Sequence, residues 1–350
     1  MLAFQNQGHN VILLNQSEGQ QIHEFLQSRN IKTCSYVLSG KKNLIYFLRH
    51  IFFLIAFCQK NKIDILYSHL ESANFVASIA QFFIRAKVYI CRHHIDEGNL
   101  YNFDRGLNYR ATYFLARKII VVSEHAKRYM IEREGINGSR IIHINLAYDF
   151  SLYKIPENSS VNKIRTMYNS DILLLSACRL TKFKRPDVAV RTLKILRKDG
   201  MNAKLLLLGR GEMEESIRKL IFDLDLQQYV FLLGHVENVL DHMLAADFFL
   251  HPSMLESSSV VVKEAGYLRR PVIVTSGVGD FNEYIVHETN GFLVRGDNYE
   301  AEASKWIKEY HLKREKLTTI GDSLYATIIR LFSVEKIIMK YKELNEDSIS

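Results

Sequence analysis

The sequence predicts an α/β protein made of two doubly wound domains that face each other across a cleft. Short β-type runs alternate with longer amphipathic segments, and the alternation begins again after residue 150. Such alternation is typical of βαβ units and a parallel sheet. The length of 350 residues also suits two domains of ordinary size, each with its own core.

In the first half, runs with strand character alternate with segments of helical periodicity. The predicted strands are 10–15, 63–68, 88–91, 118–123 and 140–144, and the predicted helices are 43–60, 74–83 and 105–116. We therefore assign residues 1–150 to an N-terminal Rossmann-like domain.

The second half repeats the same alternation. Its predicted strands are 172–178, 203–209, 230–233, 248–251 and 271–275, and its predicted helices are 185–198, 214–224, 239–246, 260–268 and 280–286. We assign residues 151–330 to a second Rossmann-like domain. The remaining segment, 331–350, contains a helix predicted around 334–343, which we expect to pack back across the cleft.

The composition is that of a soluble globular protein, with 47% hydrophobic and 24% charged residues. No run reaches the 18–20 apolar residues that span a bilayer, and the N-terminal residues lack the basic region of a signal peptide. The four cysteines form no CxxC pair, which favours a reducing compartment. We expect a cytoplasmic protein.

Positive charge is concentrated in the first half. Residues 1–150 hold 18 Lys and Arg against 11 Asp and Glu, whereas the rest of the chain holds 28 against 27. A basic surface attracts phosphorylated substrates, anionic lipids or nucleic acid, and it can also be an ordinary solvated face. We expect no nucleic acid partner, because no stacking-aromatic motif accompanies the charge.

Two glutamates mark the segment with the most chemical information. Glu256 follows a predicted strand, and Glu264 lies eight positions later inside the next helix. A carboxylate can accept two hydrogen bonds from a vicinal diol such as ribose, and the helix N-terminus at Ser258, Ser259 and Val260 offers N–H groups to a phosphate or sugar. The spacing suits a nucleotide sugar, although any charged helix can supply such a pair.

The surrounding motifs resemble those of the retaining GT-B glycosyltransferases of glycosyltransferase family 4. The matching elements are, in order, Pro252-Ser253, Glu256, Glu264-Ala265, Pro271-Val272-Ile273, Gly277-Val278-Gly279, Glu283 and residues 290–294. One departure is Ser257-Ser258-Ser259, where the family often has Gly-Phe-Gly. The resemblance covers nearly the whole chain and is strongest over 170–295. It implies a GT-B fold and a nucleotide diphosphate sugar as donor.

The resemblance assigns the donor diphosphate to two cations, Arg179 and Lys184. Departure of a nucleoside diphosphate builds negative charge, which fixed cations stabilise without a metal. We therefore expect no metal and no cofactor besides the donor substrate. Lys182 and Arg185 are the competing candidates, interpreted as surface charges.

Two short loops complete the resemblance on the donor side. Gly209 and Gly211 match the family's Gly-x-Gly loop beside the nucleotide, although such a pair alone is more often a tight turn. His235 and Val236 match a turn near the base.

The first half contributes one candidate, His93, which matches a family histidine that contacts the donor sugar or the acceptor. Spacing from the strand 88–91 favours His93 over His94. A structural role ranks second, and a metal site ranks third because the sequence places no further ligand. His69 is interpreted as a structural or rim residue.

Two features of the first half concern its surface and its beginning. Residues 41–54 combine basic, aromatic and aliphatic side chains, which suits a core helix first and docking at an anionic membrane surface second. Gly8-His9-Asn10-Val11 matches a family motif that follows a first strand and a glycine-rich loop. We therefore expect that first strand to be missing.

Together these features predict a retaining glycosyltransferase of the hexosyltransferase type. It would move a sugar from the donor to a glycan or lipid-linked acceptor in cell-surface polysaccharide or lipopolysaccharide biosynthesis, at the inner face of the plasma membrane. The alternatives are a catalytically impaired scaffold protein and a GT-B nucleotide-sugar epimerase, whose acid/base carboxylates we cannot place.

Overall fold

The computed structural model describes residues 1–16, 19–39, 43–95 and 107–346, and the chain divides into two compact units. The first unit comprises Met1–Ala147 together with Val334–Ser350, and the second comprises Tyr148–Ser333. The chain thus passes between the units at two points, which lie close to the boundaries predicted after residues 150 and 330.

The strands described in the first unit pair in parallel, as expected when helices connect successive strands. A two-stranded sheet joins β1 (Ile12–Asn15) to β2 (Lys32–Ser35). A four-stranded sheet contains, in spatial order, β3 (Ile65–His69), β4 (Lys87–Arg92), β5 (Lys118–Val121) and β6 (Ile141–His143). The helices described in the first unit are Leu2–Asn6, Gln20–Gln27, Leu44–Lys60, Glu71–Ala80, Leu107–Leu115, Glu124–Glu132 and Val334–Glu346.

The helix Leu44–Lys60 shows why the predicted helix at 43–60 forms. Asn43 caps it, because its side chain accepts a hydrogen bond from the Tyr46 backbone N–H at 2.9 Å. The helix buries a stripe with a spacing of three to four residues, which includes Phe47, Ile51 and Leu54. This stripe forms one core with the strands of the four-stranded sheet.

The two faces of β4 enter different clusters, as alternation along a strand requires. Val88 and Ile90 contribute to the core beneath the helix Leu44–Lys60. Tyr89 and Cys91 pack with Ile337 of the C-terminal helix Val334–Glu346. The C-terminal helix therefore lies against the sheet of the first unit.

The second unit contains one parallel sheet of six strands. Its spatial order is β12 (Phe292–Val294), β11 (Val272–Thr275), β10 (Phe248–His251), β7 (Ile172–Ala177), β8 (Ala203–Leu208) and β9 (Val230–Gly234). The order reverses direction between β7 and β10, which defines a doubly wound sheet. Every residue of β7 is buried, as expected for a central strand covered on both faces.

Helices cover the second sheet, and three of them have no counterpart among the sequence predictions. The unpredicted helices are Asn158–Tyr168, Tyr299–Tyr310 and Arg314–Phe332, and the others are Pro186–Lys198, Glu214–Asp223, Val239–Ala245, Val260–Tyr267 and Phe281–Tyr284. Arg314–Phe332 buries Leu317, Ile320, Leu324 and Ile328 at helical spacing.

Two helix predictions in the first unit differ from the structure at their ends. The helix predicted at 74–83 spans Glu71–Ala80, because Leu70 takes a φ of 70° and turns the chain directly after β3. The helix predicted at 105–116 spans Leu107–Leu115, with residues 105 and 106 outside the described part of the chain. Across the described ranges, no helix combines the length and the apolar character needed to cross a bilayer.

Candidate active site

The second unit contains a cavity of about 520 Å³ at the carboxyl ends of β7, β8 and β9. Ligands of doubly wound proteins bind at this edge of the sheet, near the reversal of strand order. The volume lies within the range of small-molecule sites. Its lining residues are Tyr153, Ala177, Cys178, Arg179, Leu208, Gly209, Arg210, Gly234, His235, Val236, Glu237, Val239, Leu240, Val261 and Glu264.

Two glycines allow the strand ends to approach each other at this edge. Gly209 has a φ of 117°, and a Cβ on it would lie 2.0 Å from the backbone oxygen of Cys178. A Cβ on Gly211 would lie 2.3 Å from the backbone oxygen of Leu180. Larger residues would push the loop after β8 away from the loop after β7. Gly209 lines the cavity, whereas Gly211 is not among the lining residues.

Two arginines line the cavity at the ends of neighbouring strands. Arg179 follows β7 and Arg210 follows β8, and both side chains are exposed. Guanidinium groups bind phosphate oxygens in a fixed, often bidentate geometry, so the cavity suits a diphosphate. Arg179 is predicted from the sequence, whereas Arg210 is not, because its only signal there is its place in the Gly-x-Gly loop.

Glu264 also lines the cavity, together with Tyr153. Burial raises the pKa of Glu264, and the neighbouring Tyr153 hydroxyl partly opposes this effect. Burial raises the pKa of Tyr153 to about 12, with a further contribution from the neighbouring carboxylate. Tyr153 precedes the first helix of the second unit, and no sequence motif points to it.

Glu256 lies outside the set of residues that line the cavity, in a buried ion cluster. Its carboxylate accepts a hydrogen bond from His251 Nε2 at 2.6 Å and one from Lys184 Nζ. Burial acts to raise its pKa, but the hydrogen bonds and charges of His251 and Lys184 outweigh that effect and lower the pKa of Glu256 to about 2. Glu256 is therefore ionised at every physiological pH.

The structure thus separates the two cations that the sequence groups together. Arg179 lines the cavity, whereas Lys184 pairs with Glu256 and is absent from the cavity lining. The two competing candidates for the diphosphate site lie in different environments. Lys182 is exposed, and Arg185 donates a hydrogen bond to the backbone oxygen of Gly296 at 2.7 Å.

The three residues proposed at the helix N-terminus occupy different environments. The Ser258 hydroxyl donates to Asp280 at 2.7 Å, and Ser259 is buried with its hydroxyl 3.4 Å from His251 Nε2. Val260, the first residue of the helix Val260–Tyr267, is exposed. Both serine hydroxyls are therefore engaged within the protein.

The remaining donor-side candidates, His235 and Val236, line the cavity directly after β9. Gly234, which ends this strand, has a φ of 67°, and the Arg210 side chain lies 3.3 Å from where its Cβ would be. The turn therefore presents open backbone beside a guanidinium group.

His93 lies in the first unit, directly after β4, and forms a pair with His69. The rings stack with centroids 5.1 Å apart, and His93 Nε2 lies 2.8 Å from His69 Nδ1. Burial lowers the pKa of His93 to about 4, and the neighbouring histidines act in the same direction. His93 is therefore neutral at pH 7, and His69 is its partner.

Two family models match consecutive parts of the chain. The model described as Glycosyl transferases group 1 matches residues 160–322, and the model described as Glycosyltransferase Family 4 matches residues 2–152.

Individual relatives agree with the family models. The chain is 25% identical over 285 residues to the capsular polysaccharide biosynthesis glycosyltransferase CapM of Staphylococcus aureus, a match that covers 77% of this chain and 74% of CapM. It is 24% identical to an N-acetylgalactosamine-N,N'-diacetylbacillosaminyl-diphospho-undecaprenol 4-alpha-N-acetylgalactosaminyltransferase of Campylobacter jejuni, over 69% of this chain and 65% of that protein.

Among solved structures, Anabaena Alr3699/HepE in complex with UDP is similar to this chain with a TM-score of 0.82. The identity is 19%, and the match covers 97% of this chain and all of that one. The same Anabaena protein has also been solved with UDP-glucose. Two units with parallel sheets, together with these structural neighbours, define a GT-B fold. The two family models together span most of the chain, so its second half is similar to group 1 glycosyltransferases and its first half to family 4 glycosyltransferases.

Proposed function

We propose that the protein is a retaining glycosyltransferase of the hexosyltransferase type. It transfers a sugar from a nucleoside diphosphate sugar to a glycan or lipid-linked acceptor during cell-surface polysaccharide or lipopolysaccharide biosynthesis. The observation that carries the proposal is the cavity at the ends of β7, β8 and β9, which two arginines and Glu264 line together.

The cavity supplies the groups that a leaving nucleoside diphosphate needs. Arg179 and Arg210 stabilise the negative charge that develops on the diphosphate when the bond to the sugar breaks. Glu264 accepts hydrogen bonds from the ribose hydroxyls, and the turn at His235 and Val236 contacts the base. Because these groups are cations and hydrogen-bonding side chains, no metal is needed for this step.

Glu256 acts on the sugar and not on the nucleotide. It is ionised and lies outside the lining of the nucleotide cavity, so we assign it to the sugar ring, on which positive charge develops during transfer. Lys184 holds this carboxylate in place. The leaving phosphate then helps to deprotonate the acceptor on the same face, which retains the anomeric configuration. The alpha linkage in the name of the Campylobacter relative supports this stereochemistry.

In the first unit, the neutral His93 contacts the donor sugar or the acceptor. The relatives support the acceptor class, since one is named for capsular polysaccharide and another for a diphospho-undecaprenol substrate. A lipid-linked acceptor places the enzyme in the cytoplasm at the inner face of the plasma membrane.

An exposed apolar surface favours this location. On the helix Leu44–Lys60, Leu44, Ile45 and Phe52 are 73%, 65% and 68% exposed, and Arg49 is exposed beside them. Apolar side chains flanked by cations bind the headgroup region of anionic bilayers. Lys41 and Lys42, which belong to the same sequence pattern, lie outside the described residues.

The proposal is tested by measuring UDP and GDP binding by calorimetry and release of nucleoside diphosphate from a panel of UDP-, GDP- and ADP-linked sugars. We expect binding and slow donor hydrolysis by the protein alone, and faster release with lipid-linked acceptors. Arg179→Ala should abolish most of the nucleotide binding and most of the release of nucleoside diphosphate. The control Arg218→Ala changes an exposed arginine that is paired with Glu214 outside the cavity, and it should leave both quantities unchanged.

The same assays distinguish the alternatives. Nucleotide binding without hydrolysis or transfer for any donor would identify a scaffold protein. Conversion of one nucleotide sugar into its epimer, detected by mass spectrometry and chromatography, would identify an epimerase. Absence of binding to every nucleotide would refute a donor site in this cavity.

A further inference from the structure

A lysine is completely buried next to the candidate site. Lys263 has no exposed surface and directly precedes Glu264 in the helix Val260–Tyr267. A charged ammonium group loses its hydration when it is buried, and this loss must be balanced by close partners. In agreement, burial lowers the pKa of Lys263, while the charge of Asp280 opposes the change.

The partners of Lys263 form a closed triangle. Its Nζ donates to Asp280 Oδ2 at 2.5 Å and to Ser258 Oγ at 2.9 Å. The Ser258 hydroxyl in turn donates to Asp280 Oδ2 at 2.7 Å. The rings of Tyr284 and Phe332 lie 4.8 and 4.9 Å from the ammonium group and exclude water on other sides.

This triangle ties together two loops at the carboxyl ends of adjacent strands. Ser258 belongs to the loop after β10, which also carries Glu256, and Asp280 ends the glycine-containing loop after β11. The two loops touch at Gly279, where a Cβ would lie only 2.7 Å from the Cβ of Glu256. The Lys263–Asp280 ion pair therefore fixes the position of the loop backbone that carries Glu256.

Stability alone does not account for the ion pair. Asp280 is 2% exposed, and its Oδ1 is buried without a hydrogen-bond partner among the described residues. Buried ion pairs are often no more stabilising than apolar side chains of similar volume, and an unpaired carboxylate oxygen makes the balance less favourable. The presence of the Lys263–Asp280 pair is therefore better explained by the loop geometry that it imposes than by its contribution to stability.

We propose that Lys263 and Asp280 are positioning residues that hold the Glu256 loop, through Ser258, in the geometry required for sugar transfer. They do so from behind the site, since neither residue lines the cavity. The catalytic consequence rests on the transferase activity proposed above, whereas the effect on the loops does not depend on it.

The experiment replaces both charges with apolar side chains in the double variant Lys263→Met/Asp280→Leu. Because no charge is then buried alone, we expect its melting temperature to stay near that of the wild type. UDP affinity should remain within about threefold, since the cavity is unchanged. The turnover number should fall about 10²-fold, the typical effect of a catalytic group displaced by about 1 Å.

Hydrogen exchange provides a readout that is independent of catalysis. In the double variant, amides of the loops 252–259 and 276–280 should exchange faster than in the wild type, with the rest of the second unit unchanged. The matched control is Lys219→Met/Asp223→Leu, which removes an exposed lysine–aspartate pair on the helix Glu214–Asp223. It should alter neither turnover nor exchange in the two loops.

Unchanged loop exchange, or wild-type turnover in the double variant, would overturn the proposal. A turnover loss matched by an equal loss of UDP affinity would also overturn it. If the double variant does not fold, Ser258→Ala decides, because it removes the link to the loop and leaves the ion pair intact. Faster loop exchange in Ser258→Ala would support the proposal, and unchanged exchange would refute it. A wild-type protein that binds no nucleotide would refute the proposed function and leave the exchange test valid.

Discussion

Tyr153 and Glu264 line one cavity of the second unit and interact there, since the Tyr153 hydroxyl acts to lower the pKa of Glu264 and the carboxylate acts to raise the pKa of Tyr153. The two residues lie more than a hundred positions apart in the sequence, so only the fold brings them together. In the proposed donor complex, a ribose that reaches Glu264 therefore lies beside the Tyr153 hydroxyl.

Glu264→Gln should weaken UDP binding about tenfold, because a neutral amide accepts hydrogen bonds less strongly than a carboxylate. Burial raises the pKa of Glu264, so the wild-type carboxylate takes up a proton at a higher pH than an ordinary glutamate. UDP affinity should then fall as the pH is lowered toward that pKa, with a smaller fall in Glu264→Gln. Calorimetry between pH 8 and pH 5 measures the difference.

Tyr153→Phe extends this test. The Tyr153 hydroxyl acts to lower the pKa of Glu264, so its removal should shift the loss of affinity to higher pH. Protonation of UDP itself is common to all three proteins and cancels in the comparison. Identical pH profiles for wild type and Glu264→Gln would show that Glu264 does not contact the nucleotide.

Glu256→Gln should lower the turnover number about 10²-fold while UDP affinity stays within about threefold. The carboxylate belongs to a cluster outside the cavity lining, so nucleotide binding does not depend on its charge. Steady-state kinetics and calorimetry with UDP separate the two effects. Equal losses of turnover and UDP affinity would place Glu256 at the nucleotide.

The depressed pKa of Glu256 also predicts a stability effect. A carboxyl group with a folded-state pKa of about 2, against an ordinary value of 4.5, stabilises the protein above pH 4.5. This contribution is lost as the pH falls from 4.5 through 2, and Glu256→Gln should lack it. Melting temperatures measured across this pH range test the difference.

Arg179→Ala and Lys184→Ala should both reduce turnover by about 10²-fold, but they should differ in stability. Arg179 is exposed in the cavity, so its removal should leave the melting temperature unchanged. Lys184 neutralises the buried Glu256, so its removal should lower the melting temperature by about 2–8 °C. Scanning calorimetry of both variants measures this. A stable, fully active Lys184→Ala would contradict its assignment.

The exposed face of the helix Leu44–Lys60 should bind anionic vesicles, with binding that weakens as salt rises because surface attraction is screened over about 8–10 Å. Phe52→Ser should reduce binding in a sedimentation assay. Phe222→Ser is the matched control, since Phe222 in the second unit is also 68% exposed. Equal binding to neutral and anionic vesicles would contradict an electrostatic attraction between this helix face and the membrane.

Much of the architecture follows from local patterns in the sequence. Strands such as β7 and β8 are short apolar runs, and the helix Leu44–Lys60 combines a cap with a buried stripe, so neighbouring residues alone predict them. Arg179, Gly209 and Glu264 are also recognisable, because each stands at a fixed distance from a strand end in the motif. The strand order places all three at one cavity.

Tertiary structure alone decided which of these charges act together. Arg179 and Lys184 are five positions apart, yet one lines the cavity and the other neutralises Glu256. Arg210 joins the cavity because parallel strands end at the same edge of the sheet, and Tyr153 reaches it from the segment before the first helix of the second unit. Periodicity along the chain encodes neither proximity. Periodicity reports which face of an element is buried, whereas ion pairing depends on which elements meet, and this is why Lys263 and Asp280 became visible as partners only in the folded chain.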